Sequence, residues 1–126
     1  MTCRGPNLRI TADGAQRVTG DGAPRAASLG SSVQRLGDLC TGHGCWPPRP
    51  NAEGAADVFC NGLPVHRAGD AWAPHTCPQM PETHASTLAA GSATVFVNGR
   101  QIGRAGDPVA CGSVAVPGSP NVFAGG

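Results

Sequence analysis

Short apolar runs of two or three residues recur along this chain, each parted from the next by a glycine-bearing turn. Val58-Phe59-Cys60 and Leu63-Pro64-Val65 flank Asn61-Gly62, and Val95-Phe96-Val97 and Arg100-Gln101-Ile102 flank Asn98-Gly99. Asn-Gly accommodates positive φ at both central positions of a type I′ turn, so each pair of runs predicts a tight β-hairpin. Pro64 has no amide hydrogen to give a ladder, which places it at a sheet edge or a strand end. No helical spacing of apolar positions extends over a useful length. One turn of helix fits Pro81 to Leu88, with Thr83 as its cap.

The hairpins belong to a repeat. An aliphatic-x-Arg-x-Gly-Asp pattern runs from Val33 to Asp38, Val65 to Asp70 and Ile102 to Asp107. A second pattern, ending in Val-Phe, runs from Gly54 to Phe59, Gly91 to Phe96 and Gly118 to Phe123. The two alternate strictly, so residues 33–126 are three copies of one unit. Each unit is too small to bury its own apolar face, so the three must lean on one another. The expected fold is all-β, a small pseudo-threefold cone of three hairpin-type repeats, which also hides the strand edges. Residues 1–32 stand outside the repeat and read as an arm or linker, with a short hairpin turning at Asp13-Gly14 as the alternative.

Composition changes the picture in one respect. Gly 19 and Pro 12 fit many tight turns, but aromatic residues are only 4% and Tyr is absent, so the apolar core must be thin. A chain of 126 residues so built needs a disulfide, a metal or a partner to hold it. The net charge is +1, with arginine as the sole basic type among Lys and Arg, which gives no electrostatic footprint for nucleic acid or anionic lipid. No apolar run reaches the roughly 20 residues that span a bilayer. The first residues lack the apolar core of a signal peptide, so the chain is expected to work inside a cell or to leave by another route.

Superimposing the Gly-Asp pairs brings out the chemistry. His43 lies five residues after Asp38, His75 five after Asp70, and Cys111 four after Asp107. Equivalent loops of a threefold repeat bring these side chains toward a common axis, and His84 in the long second loop is a natural fourth. Three imidazoles and a thiolate suit Zn²⁺ in a closed structural site, and Fe²⁺ also accepts such ligands. Cys77 is an alternative to His75; the register after Gly-Asp favours His75. His66 aligns with Gln34 and Gly103, so nothing requires a ligand there, and it is read as structural or exposed. Cys45 and Cys77 each follow a proposed ligand by two residues and are expected to face each other, as a disulfide or as buried thiols. Cys40 and Cys60 are expected as small core residues, and Cys3 as an arm thiol.

These residues resemble the PAAR-repeat proteins: three cycles of Arg-x-Gly-Asp, Val-Phe-x-Asn-Gly hairpins and a His/His/His/Cys set. The likeness covers residues 33–126. The name-giving tetrad is degenerate, with Leu63-Pro64-Val65-His66-Arg67 and Gln101-Ile102-Gly103-Arg104 in its place, and Asn121-Val122-Phe123 begins a shortened last hairpin. The resemblance implies a β cone pinned near its vertex by one metal ion, Zn²⁺ or Fe²⁺, on His43, His75, His84 and Cys111. It implies a cone that caps a trimeric β-helical spike of a phage tail or type VI secretion system, one copy per spike. Val58, Phe59, Val95, Phe96, Val122 and Phe123 would form the base that meets the spike. The target cell envelope would be a transient contact. The place of action would be a virion tail tip or the tip of a secretion apparatus, after assembly in the bacterial cytoplasm. Such a protein is not an enzyme. The rival expectations are a metal-free, disulfide-stapled secreted interaction module, and a zinc-dependent hydrolase using Glu82, which four protein ligands disfavour.

Overall fold

The computed structural model describes residues 31–125 and, of the preceding segment, the strand backbones Cys3–Arg4 and Leu8–Ile10. Ten short strands and no helix are found among the described residues: β1 (Cys3–Arg4), β2 (Leu8–Ile10), β3 (Ser31–Ser32), β4 (Phe59–Cys60), β5 (Leu63–Pro64), β6 (Ala71–Cys77), β7 (Glu82–Thr87), β8 (Val95–Val97), β9 (Arg100–Gln101) and β10 (Phe123–Ala124). The Asn-Gly hairpins form as expected. Asn61 and Asn98 take φ of 55° and 56°, and Gly62 and Gly99 follow at 79° and 77°, the left-handed pair that a type I′ turn needs. Pro64 sits in β5, which pairs only with β4 and is an edge strand.

Each Arg-x-Gly-Asp segment folds into the same closed turn. The aspartate Oδ2 accepts the backbone N–H of its arginine at 2.8–2.9 Å in all three copies. The guanidinium then forks onto the same carboxylate, Nε to Oδ2 and Nη2 to Oδ1, at 2.9 and 3.1 Å for Arg35, 2.8 and 2.9 Å for Arg67, and 3.2 and 3.0 Å for Arg104. The glycine between them supplies the positive φ: 92° at Gly37, 88° at Gly69 and 89° at Gly106. The remaining guanidinium nitrogen, Nη1, reaches a hairpin turn, Asn61 Oδ1 at 3.2 Å from Arg35 and Asn98 Oδ1 at 2.7 Å from Arg67. The third copy has no Asn-Gly turn, and Arg104 Nη1 donates to the Gly125 carbonyl instead, at 3.0 Å.

The copies close on one another around an axis. Gln34 N donates to Gly103 O, His66 N to Gln34 O, and Gly103 N to His66 O, at 2.9, 3.0 and 2.8 Å, a cyclic triangle made by one equivalent position from each repeat. Antiparallel bridges Val33–Arg104, Arg35–Val65 and Arg67–Ile102 surround it. One apolar cluster contains Val33, Ala55, Val58, Cys60, Val65, Val95, Val97, Ile102, Val122 and Ala124, all fully buried. A second and smaller cluster contains Cys40, Trp72, Leu88, Val109 and Ala115, with Cys111 against it.

One expectation is corrected and two features are added. Residues 82–87 form β7, paired with β6, in place of a helical turn; Thr83 faces Thr76 across the pair, hydroxyl to hydroxyl at 2.6 Å, and caps nothing. Cys60, expected as a small core residue, is buried as expected and is in addition disulfide-bonded. Within residues 1–32, β1 pairs with β4, β2 with β8, and β3 with β10, so each Val-Phe strand gains an antiparallel neighbour. The hairpin expected at Asp13-Gly14 lies outside the described residues.

Candidate metal centre

Two loops and one hairpin deliver four side chains to a single point. His75 and His84 are direct cross-strand partners on β6 and β7, and a register shift between Trp72 and His75 re-aims the end of β6. Such bulges turn a side chain without ending the pairing. His43 sits in a tight turn closed by paired backbone bonds with Trp46, 2.9 and 2.8 Å. Gly42 and Gly44 flank it at φ of 72° and 52°, and a side chain at Gly42 would meet the Trp46 carbonyl at 2.5 Å. Cys111 rides on a turn in which Gly112 N donates to Val109 O at 2.9 Å, with Gly112 at φ 113°.

The donor atoms of His43, His75, His84 and Cys111 all lie within 4.8 Å of one another. His84 Nε2 is 3.0 Å from His43 Nε2 and 2.7 Å from His75 Nε2. His75 Nδ1 lies 2.9 Å from the Pro47 carbonyl, which can only accept, so Nδ1 carries the hydrogen and Nε2 turns a lone pair inward. Convergent ring nitrogens with no acid among them make a poor hydrogen-bonded cluster and a good cation site. Tetrahedral zinc, with bonds of about 2.0–2.1 Å to nitrogen, spaces its nitrogen ligands by roughly 3.3 Å. The ring separations are a few tenths of an ångström shorter, within reach of small side-chain rotations. The four residues fit such an ion.

Cys111 suits the role electrostatically. Its burial opposes ionisation, but the Ser113 backbone N–H, the Arg49 guanidinium, the Ser113 hydroxyl and His84 outweigh it and bring the thiol from 9.0 down to about 5. A thiolate, not a thiol, is the metal ligand. Cys77, weighed as an alternative ligand, is unavailable: it is bonded to Cys45, a link that closes 32 residues and joins the loop of His43 to the strand of His75. His66 is no ligand. It is fully buried beside Trp72 and donates from Nδ1 to the Glu53 carbonyl at 2.7 Å. Glu82 is exposed on β7 and is not one of the four clustered residues.

Two residues at the site were not anticipated. Trp46 stacks on His43, ring centroids 5.1 Å apart, stands 5.0 Å from His84, and donates its indole N–H to the Glu82 carbonyl at 2.9 Å. It shields the three imidazoles. Arg49 contacts Cys111 Sγ from Nη2 at 3.4 Å. The signal for both was present in Trp46-Pro47-Pro48-Arg49-Pro50, a rigid stretch directly after Cys45 that matches nothing in the other repeats.

At the other end, the six residues expected at the base divide. Val58, Val95 and Val122 are fully buried in the larger core, so they cannot touch a partner. Phe59 is 38% exposed, and Phe96 and Phe123 are half-buried on the opposite strand face. Alternation along a strand accounts for the split, valine inward and phenylalanine outward.

Comparison with known proteins adds one finding. The family model for the PAAR motif matches residues 41–117, more than half of the chain, and spans all four clustered residues. A search of curated proteins found no match.

Proposed function

The chain belongs to the PAAR-motif family, and from that premise we propose that it is a spike-tip protein of a contractile injection machine. PAAR-motif proteins are structural, and the role is mechanical, not catalytic. The observation that carries the proposal is the cyclic closure of three equivalent turns around one axis, with a His/His/His/Cys cluster at the narrow end. A single chain with three similar faces matches a true threefold partner, and a trimeric β-helical spike is such a partner, one chain capping one spike. Phe59, Phe96 and Phe123, at equivalent places in the three units, are the side chains offered to it.

The four-residue cluster holds Zn²⁺, with Fe²⁺ as the other fitting ion, one per chain. Bound there, the ion supplies cross-linking of the loops that carry its ligands. His75 is oriented by the Pro47 carbonyl, Cys111 is kept ionised by its donors, and Trp46 excludes water from the imidazoles. The clamp stiffens the part of the cone that first meets a target envelope. The Cys45–Cys77 link supports an oxidising site of action outside the cell of assembly, such as a virion tail tip or a secretion-apparatus tip.

Co-purification tests the capping role. The chain is expected to be retained on a tagged trimeric β-helical spike from the same cell, and Phe59→Asp with Phe96→Asp is expected to abolish retention while leaving the melting temperature within a few degrees. Retention of that double variant at the wild-type level would contradict this assignment of the docking face.

A further inference from the structure

Arg49 is 4% exposed, and among the described residues it makes no ion pair with a carboxylate. Arg35, Arg67, Arg100 and Arg104 each have an aspartate within 3.0 Å. A buried guanidinium without a countercharge is costly, so its surroundings must compensate. They do so with sulfur. Nη1 points to Cys40 Sγ at 2.9 Å and Nη2 to Cys111 Sγ at 3.4 Å; Nη1 is also 3.5 Å from Ser113 Oγ. Nε donates to the Ala73 carbonyl at 2.8 Å, and the plane lies 5.3 Å from the Trp72 ring centroid.

Those contacts fall on the chain segments that carry His43, His75 and Cys111. Cys40 is three residues before His43, Ala73 is two before His75 on β6, whose hairpin partner β7 carries His84, and Cys111 is itself in the cluster. The guanidinium therefore sits behind the site and ties its walls together. Its own backbone is fixed on both sides, since Pro48 precedes and Pro50 follows it, and prolines lock φ and restrict the residue before them. The same stretch supplies Trp46 over His43 and the Pro47 carbonyl to His75.

We propose that Arg49 is the positioning residue of the metal centre: its planar fork spans Cys40 and Cys111, holding the Cys111 sulfur toward the three imidazoles. The proposal rests on the metal assignment above. Lysine cannot replace it, because an ammonium is a point donor that cannot span two sulfurs and a carbonyl in one plane. Outer-shell partners of this kind typically change metal affinity by about 10- to 100-fold.

Cobalt(II) provides a test that reads the thiolate bond directly. Full-length wild-type protein, stripped and reloaded, is expected to take up one cobalt per chain, with a sulfur-to-cobalt charge-transfer band that Cys111→Ser abolishes. Arg49→Met is expected to weaken cobalt binding by about 10- to 100-fold in chelator competition and to reduce that band at saturation. Arg49→Lys, which keeps a buried cation and guards against a misfolded methionine variant, is expected to recover part of the affinity but not the band. Wild-type affinity and an unchanged band in either variant would overturn the role of Arg49 alone. A wild-type chain that takes up no cobalt would overturn the metal assignment and this proposal with it.

Discussion

The two ends of this molecule are held by different physics. The larger cluster buries ten aliphatic, alanine or cysteine side chains, the disulfide-bonded Cys60 among them, and is held mainly by packing, with hairpin turns locked by Arg35 and Arg67 onto Asn61 and Asn98. The smaller buries five, one of them Trp72, and beyond it the chain narrows to loops of Gly, His and Cys. There the apolar volume is too small to fix the loops, and directed contacts take over: the Cys45–Cys77 link, the Arg49 fork and four converging side chains placed to hold an ion. A tapering fold thus leans less on hydrophobic burial, and more on directed bonds, as its cross-section falls. The triangle of Gln34, His66 and Gly103 marks the boundary, where three backbone bonds close the ring.

The contrast can be broken from either end. The largest effect is expected from the metal cluster: His84→Ala or Cys111→Ala should remove most of a contribution that in structural zinc sites is on the order of 10 kcal/mol. Hydrogen exchange should localise the loss, with the amides of His43, Trp46 and Gly112 opening while those of Val33, Val65 and Ile102 stay protected. Uniform loss of protection would mean that the two ends are one cooperative unit. In the larger core, Ile102→Ala is expected to cost about 2–5 kcal/mol in denaturant unfolding, by the same amount with or without metal. A cost that depends on metal would couple the ends. Cys45→Ser with Cys77→Ser is expected to cost roughly 3–4 kcal/mol from loop closure over 32 residues, and to weaken metal binding, whereas Ile102→Ala should not.

The smallest effect concerns the boundary layer. Burial holds the His66 imidazole below its ordinary 6.5, since its Nε2 has no hydrogen-bond partner among the described residues to stabilise the charged form. The unfolded chain takes up that proton more readily than the folded one. Stability of metal-free protein should therefore fall as pH drops below about 6.5, and stay flat in this respect above it. His66→Gln, which copies Gln34 of the first repeat, is expected to remove that part of the acid sensitivity; an identical pH profile would show that His66 binds its proton equally well in the folded and unfolded states.

Much of this was legible in the residues, because the informative features are local. Asn-Gly dictates a turn type through φ alone, and Arg-x-Gly-Asp closes on itself within six residues, so hairpins and repeat boundaries followed from short spacings. The cluster followed from register, since equivalent loops of a threefold repeat must point the same way. What escaped depends on distant partners. Glu82–Thr87 carries little apolar signal and is a strand because β6 pairs with it. Cys60 looked like any small core residue. Arg49 gained its meaning from Cys40, Ala73 and Cys111, which only the fold brings to one place. The inward turn of Val58, Val95 and Val122 is different in kind: strand alternation in Val-Phe-Cys and Val-Phe-Val already carried it.

The central claim, that the narrow end is clamped by an ion, is tested most directly by elemental analysis of the purified chain read alongside thermal melting with and without a strong chelator. One zinc or iron per chain, and a melting temperature lowered when it is removed, is the predicted result. No metal together with an unchanged melting temperature would contradict the clamp and leave the Cys45–Cys77 link as the principal cross-link of the tip.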